Sequence, residues 1–150
     1  MTAEASGALA AAARRWADFF ESLSPATLDD ITRHCRPDVR FKDPFNDITG
    51  IDNLRRVFEH MFETLDEPVF KVTDIAVSEQ AAYLRWDFFF TPKGQANKSW
   101  TITGMSEVRF DDDFRVLSHV DHWDAGEQFY ARLPVLGHII HWVRSKVSSA

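Results

Sequence analysis

Near the end of the chain His119, Asp121 and Trp123 alternate with Ser118, Val120, His122 and Asp124. A strand has a side-chain period of two, so imidazole, carboxylate and indole share one face. A carboxylate beside an imidazole can accept or release a proton on a bound substrate, and an aromatic wall keeps water away from the exchange. The alternation leaves two arrangements open: this face lines a ligand pocket, or it meets water while Val120 packs inward.

Asp43 is a second candidate. Val39, Phe41 and Asp43 alternate with Arg40 and Lys42 and run into Pro44. A carboxylate in register with two apolar residues is partly desolvated, which suits a general base near neutral pH. The competing reading is that Asp43 caps the turn from Pro44 to Asp47, since Asp before Pro is common turn chemistry.

Further on, Arg85 and Asp87 share a strand face with Tyr83 and Phe89, opposite Leu84, Trp86, Phe88 and Phe90. Both faces carry large apolar groups, so one is expected to line a cavity and the other to meet a helix or another subunit. Other combinations are weaker. His138 and His141 stand three apart on an expected helix, but no neighbouring carboxylate completes a metal motif. Adjacent His34 and Cys35 do not face each other on a helix, so they make no catalytic dyad. Asp111 to Asp113 reads as a solvated hairpin turn without the ligand spacing of a calcium loop. The 6 glycines are dispersed, with no phosphate cradle, and neither a metal nor any other cofactor is expected.

The elements that must position these residues run helices first, strands later. Leu9, Trp16, Phe19, Phe20 and Leu23 fall at helical spacing. Ser24 and Pro25 open a second short helix with Leu28 and Ile31, which stops before Pro37. After the strand ending at Asp43, Thr49 and Gly50 open a third helix striped by Ile51, Leu54, Phe58, Met61, Phe62 and Leu65. Beyond Pro68 the period becomes two, giving strands over Val69 to Val77, Ala82 to Thr91, Ser99 to Phe110 and Val116 to Trp123. Their short polar separators favour antiparallel neighbours. Residues 1–8 read as a disordered lead-in, and residues 125–146 as a helical segment broken around Leu133 and Pro134 that caps the domain or a partner subunit.

Composition bounds the answer. The 150 residues suit one α+β domain with a real core, and 13 Phe, 5 Trp and 2 Tyr are a heavy aromatic load. A net charge of −6 argues against sequence-independent nucleic-acid binding. The single cysteine excludes an internal disulfide. No window approaches the roughly 20 apolar residues of a membrane span. The expected product is soluble and cytoplasmic, with no nucleic-acid or membrane partner.

The order of elements, the Phe41-Lys42-Asp43-Pro44 segment, the long late strands and Asp121-His122-Trp123-Asp124 together resemble the nuclear-transport-factor-2-like superfamily, especially its SnoaL-like branch, from about Leu9 to about Leu133. The resemblance implies a cone-shaped fold in which a strongly curved antiparallel sheet wraps three N-terminal helices around a deep apolar cavity, with a C-terminal helical extension, often as a homodimer. Asp43-Pro44 is similar to the catalytic aspartate of ketosteroid isomerases, whose oxyanion-hole donors fall at Trp16 and Ser106. Arg85-Trp86-Asp87 with Asp121 resembles the charge arrangement of limonene epoxide hydrolases, whose water-holding Tyr and Asn correspond to Phe41 and Asp43. Asp121 beside His119 resembles the acid–base site of SnoaL-like polyketide cyclases.

The resulting expectation is a cofactor-independent pocket for a small apolar molecule that performs isomerisation, cyclisation or epoxide hydrolysis. Asp43 and Asp121 serve as acid or base, His119 shuttles or orients a proton, and Arg85 with Asp87 stabilises charge, all five on the concave face. Trp16, Phe20, Phe41, Phe58, Phe62, Tyr83, Trp100, Ser106 and Trp123 are the expected substrate-binding residues. The alternative is a non-catalytic ligand-binding or carrier module acting as a homodimer, with the Arg85, Asp87 and Asp121 group as a satisfied buried network.

Overall fold

The computed structural model describes residues 3–149. Helix α1 spans Ala3–Glu21. It begins earlier than the expected lead-in because the alanine-rich stretch is a strong helix former; residues 1 and 2 lie outside the described residues. Ala12, Ala13, Trp16, Ala17 and Phe20 form its buried stripe. Ser24 Oγ accepts the N–H of Thr27, and the Thr27 hydroxyl accepts that of Ser24. The chain then makes a turn before a 3-10 segment at Leu28–Asp30 and the single turn α2, Ile31–His34. The second helix is therefore later and shorter than its sequence signals predict.

Strand β1, Cys35–Lys42, buries Cys35, Val39 and Phe41. A short strand β2, Asp47–Thr49, folds back on it, with Arg40 paired to Asp47 at 2.8 Å. Three residues are too few for a periodic signal, and β2 was not expected. Gly50, at φ 98°, turns the chain into α3, Ile51–Thr64, which buries Leu54 and Phe58. That backbone angle favours glycine.

Strands β3, Leu65–Val77, β4, Ala82–Pro92, β5, Trp100–Phe110, and β6, Val116–His122, make successive antiparallel hairpins. The six-stranded sheet has the order β2-β1-β6-β5-β4-β3 and does not close. One pairing departs from the antiparallel expectation: β1 runs parallel to β6. The first long strand reaches the last through the intervening helix and meander, the kind of long connection that parallel neighbours require. Helix α1 lies against β3 and β4, and α3 against β1 and β3, so the helices cover the concave face. Fully buried Trp16, Ile31, Leu54, Leu84 and Val39 join this helix–sheet core. Each aliphatic side chain so buried stabilises the fold by roughly 1.5–3 kcal/mol.

After β6 come α4, Ala125–Gln128, a 3-10 turn at Tyr130–Arg132, and α5, Pro134–Val147. Asp124 caps α4 by accepting the Glu127 N–H, and Pro134 starts α5. This matches the expected broken helical segment. Helix α5 exposes Val135, Ile139, Trp142, Val143 and Val147.

Candidate functional site

A cavity of ≈390 Å³ lies between the concave sheet and α3. Its walls are aromatic and aliphatic: Phe20, Phe41, Phe58, Phe70, Trp86, Phe88, Phe90, Ile102, Trp123 and Phe129 among them. Asp121 lines it, and also a side recess of ≈10 Å³ together with Ser106 and His119. That recess is at the lower limit for holding one water.

Asp121 sits on β6 and is only 14% exposed at the side chain. Its Oδ1 accepts the Ser106 hydroxyl at 2.6 Å and lies 2.7 Å from His119 Nε2. Ser106 is the residue opposite Asp121 in the β5–β6 register, which explains the short reach. His119 is 2% exposed. Its ring is stacked between Phe41 and Phe20, at centroid distances of 5.2 and 5.1 Å. Behind it, the Trp16 indole Nε1–H donates to His119 Nδ1 at 2.9 Å. On the other side, Trp86 Nε1–H donates to Ser106 Oγ at 2.8 Å. Among the described residues no buried side-chain polar atom lacks a partner. Asp121 Oδ2 has no hydrogen-bond partner among them, so it is an oxygen with solvent access.

The structure brings His119, Asp121, Ser106 and Trp123 together on the concave face, resolving the alternation left open by the sequence. Asp43 lies just beyond β1 and reaches the cavity wall. Its Oδ1 also accepts the N–H groups of Phe45 and Asn46 at 2.7 and 2.6 Å, and both its oxygens meet Asn46 Nδ2 at 3.0 Å. The turn-cap reading is thus realised at a cavity-lining position.

Arg85 and Asp87 require correction. Trp86 points into the cavity, and period-two alternation sends its neighbours Arg85 and Asp87 to the outward face. There Asp87 accepts the Thr103 hydroxyl at 2.6 Å. Tyr83 alternates with them and also leaves the cavity. The five proposed chemical residues therefore do not share one face. The same alternation sends Leu84, Trp86, Phe88 and Phe90 to the core and cavity.

Of the remaining expected pocket residues, Phe20, Phe41, Phe58 and Trp123 line the cavity. Trp16 is buried behind His119, and Phe62 packs against the core. Trp100, on the same face of β5 as Ile102, does not line the cavity but packs against its wall, stacked on Phe90 at 5.9 Å with Arg132 4.9 Å over its ring. Sequence reasoning missed Phe45, Phe70 and Phe129. The first and last sit in turns without periodicity, and Phe70 gave only a short alternation with Val72.

The mouth is shaped by the segment after β6. Gln128 Oε1 accepts the Thr103 N–H at 2.8 Å, while Gln128 Nε2–H donates to the Thr103 carbonyl at 2.9 Å. The pairing of β5 with β6 ends at Met105 and His122, so this side-chain amide continues the ladder where β6 stops. It seats Phe129 at the cavity, with Phe45 5.2 Å away across the mouth. Elsewhere, burial pushes the Cys35 thiol up to about 12, far from a reactive thiolate. Burial lowers the pKa of His34, partly opposed by Asp30.

An open curved sheet with helices on its concave side and an apolar cavity defines a small-molecule-pocket fold of the nuclear-transport-factor-2-like class. The chain belongs to the SnoaL-like domain family, whose model matches residues 14–119. Among solved structures, a protein described as a SnoaL-like polyketide cyclase from Jannaschia sp. CCS1 aligns with a TM-score of 0.70 at 11% identity, over 83% of this chain and 90% of that one. An epoxide hydrolase of the limonene-epoxide-hydrolase-like type from M. tuberculosis gives 0.66 at 13%, over 95% and 98%. A protein with a ketosteroid isomerase-like fold from Catenulispora acidiphila DSM 44928, in complex with trimethylamine, gives 0.67 at 13%, over 82% and 93%. No curated protein sequence matches the chain. Among the described residues no helix is long and apolar enough to cross a membrane.

Proposed function

We propose that this protein catalyses a cofactor-independent proton transfer on a small apolar substrate, with Asp121 as the acid–base group. The observation that carries the reading is the asymmetric Asp121 carboxylate: Oδ1 is held by Ser106 and His119, while Oδ2 is left without a protein partner on a residue lining an apolar cavity. In this scheme Oδ2 takes a proton from carbon next to a substrate carbonyl, and the C–H electron pair moves into the enolate. Returning the proton to another carbon isomerises the substrate. Attack of the enolate carbon on a second carbonyl closes a ring, and the resulting alkoxide takes the proton back.

Isomerisation or cyclisation fits better than epoxide opening, because Arg85 and Asp87 do not reach the cavity. The cavity volume, a few hundred Å³ with mostly apolar walls, suits a compact carbon skeleton. Turnover of enone and poly-β-keto analogues by the wild-type protein tests the proposal. Asp121→Asn is expected to lower it about 10²- to 10⁴-fold, the usual worth of a general acid or base. Binding of these compounds without turnover would support the carrier alternative and overturn catalysis.

The homodimer is proposed through α5. Its outer face exposes Ile139, Trp142 and Val143. Residues 128–150 carry Arg132, Arg144 and Lys146 with no acidic residue, whereas all 23 acidic residues precede them. The acidic body of a second copy complements that charge.

A further inference from the structure

We propose that Trp16 and Trp86 are positioning residues which fix the direction of every hydrogen bond around Asp121, so that its proton exchange runs through Oδ2 alone. This rests on the reading of Asp121 as the proton-transfer group and adds which oxygen acts and what enforces it.

The argument starts from an indole N–H, which can only donate. Trp16 Nε1–H points at His119 Nδ1 at 2.9 Å, so that nitrogen must present its lone pair. A neutral imidazole carries one proton, which therefore sits on Nε2 and is donated to Asp121 Oδ1 at 2.7 Å. An imidazolium would set an N–H against the Trp16 N–H. At the other end, Trp86 Nε1–H points at Ser106 Oγ at 2.8 Å. That contact occupies a lone pair of the hydroxyl and leaves its single hydrogen for Asp121 Oδ1 at 2.6 Å.

Both relays end on the same oxygen. Oδ1 thus receives two hydrogen bonds whose senses are set from outside, and a proton placed on Oδ1 would collide with one of them. The proton that Asp121 takes up must reside on Oδ2. His119 then orients the carboxylate and shuttles nothing, because Nδ1 is committed to Trp16 and Nε2 to Asp121. The geometry is rigidly supported: Trp16 and Ser106 are each 1% exposed, and His119 is clamped between Phe20 and Phe41.

Nitrogen-15 NMR of the histidine rings in the wild-type protein tests this without any substrate. The expected result is a neutral His119 protonated at Nε2. Trp16→Phe, which keeps an aromatic ring and removes the N–H, leaves Nε2–H on Asp121 Oδ1 and frees Nδ1, so the expected result is a doubly protonated His119 ring that the wild type does not show under the same conditions. If turnover is found, Trp16→Phe should lower kcat about tenfold, the scale of one lost hydrogen bond in a charge-bearing network, with KM changed less than about twofold. Finding His119 protonated at Nδ1 in the wild type, or no gain of the doubly protonated ring in Trp16→Phe, would overturn the inference. A wild-type protein with the Nε2–H tautomer and no turnover supports these bond directions and overturns the catalytic reading instead. Should Trp16→Phe fail to fold, the wild-type spectrum still decides.

Discussion

The indole of Trp86 lies across the backbone of Gly104, its register partner on β5, so closely that a β-carbon at 104 would stand 2.5 Å from Trp86 Cη2. This close approach places the Trp86 N–H on Ser106 and, through it, bears on Asp121. Gly104→Ala is expected to push the indole aside and destabilise the protein by about 1–3 kcal/mol, the usual cost of overpacking. Urea denaturation measures the loss, and disturbance of the Trp86 indole N–H resonance locates it.

Ser106→Ala removes a hydroxyl that both accepts and donates. The Trp86 N–H is left without its partner, so a loss of about 1–3 kcal/mol is expected in the same denaturation experiment. The double variant Ser106→Ala with Trp86→Phe should lose less than the sum of its two single changes, because the second change removes the orphaned donor.

Asp43 and Asp121 should separate by function. Asp43→Asn weakens a carboxylate that gathers the N–H groups of Phe45 and Asn46, so the expected effect is a stability loss of about 0.5–2 kcal/mol, as for a lost capping side chain. Turnover should fall no more than a few-fold in a variant that remains folded. A loss as deep as that of Asp121→Asn would make Asp43 a second proton-transfer group.

Two groups, the buried Cys35 and the half-buried His34, predict how stability varies with pH. The Cys35 thiol is raised by burial from 9.0 to about 12, so folding favours its protonated form. That contribution is fully present below about pH 9 and is lost as pH rises toward 12. Alkylation of Cys35 in the native protein at pH 8 should be slow and should accelerate on unfolding. His34 has the opposite sign: burial lowers its pKa below 6.5, so the folded state holds its proton less tightly and stability falls as pH drops below that value. His34→Gln should flatten the acid side of the stability profile.

Helix α5 gives an association test. Wild-type protein at micromolar concentration should scatter light as a dimer, and Ile139→Glu with Trp142→Glu should return it to a monomer with its thermal transition retained. A wild-type monomer would exclude this use of the helix.

The sequence was informative wherever one residue type repeats at a fixed period. His119, Asp121 and Trp123 could be placed together because period two constrains a strand face regardless of what packs on it. The same rule separated Arg85 and Asp87 from Trp86 but did not say which of the two faces lines the cavity, because Tyr83 and Phe89 make the outward face nearly as bulky as the inward one. Phe45 and Phe129 were illegible for a different reason: both reach the cavity from turns, held by Asp43 and by the Gln128 contact with Thr103, and turns have no periodicity to read.

By itself, then, the sequence determined the succession of helices and strands, the sharing of a face by His119 and Asp121, and the apolar character of what surrounds them. Those properties depend on spacing along the chain. Tertiary structure decided which face is concave, that β1 joins β6 in parallel, and that Trp16 and Trp86 end two hydrogen-bond relays on one oxygen of Asp121. These contacts join residues such as Trp16 and His119 that lie far apart in sequence, and a local pattern carries no information about the direction from which a distant donor arrives.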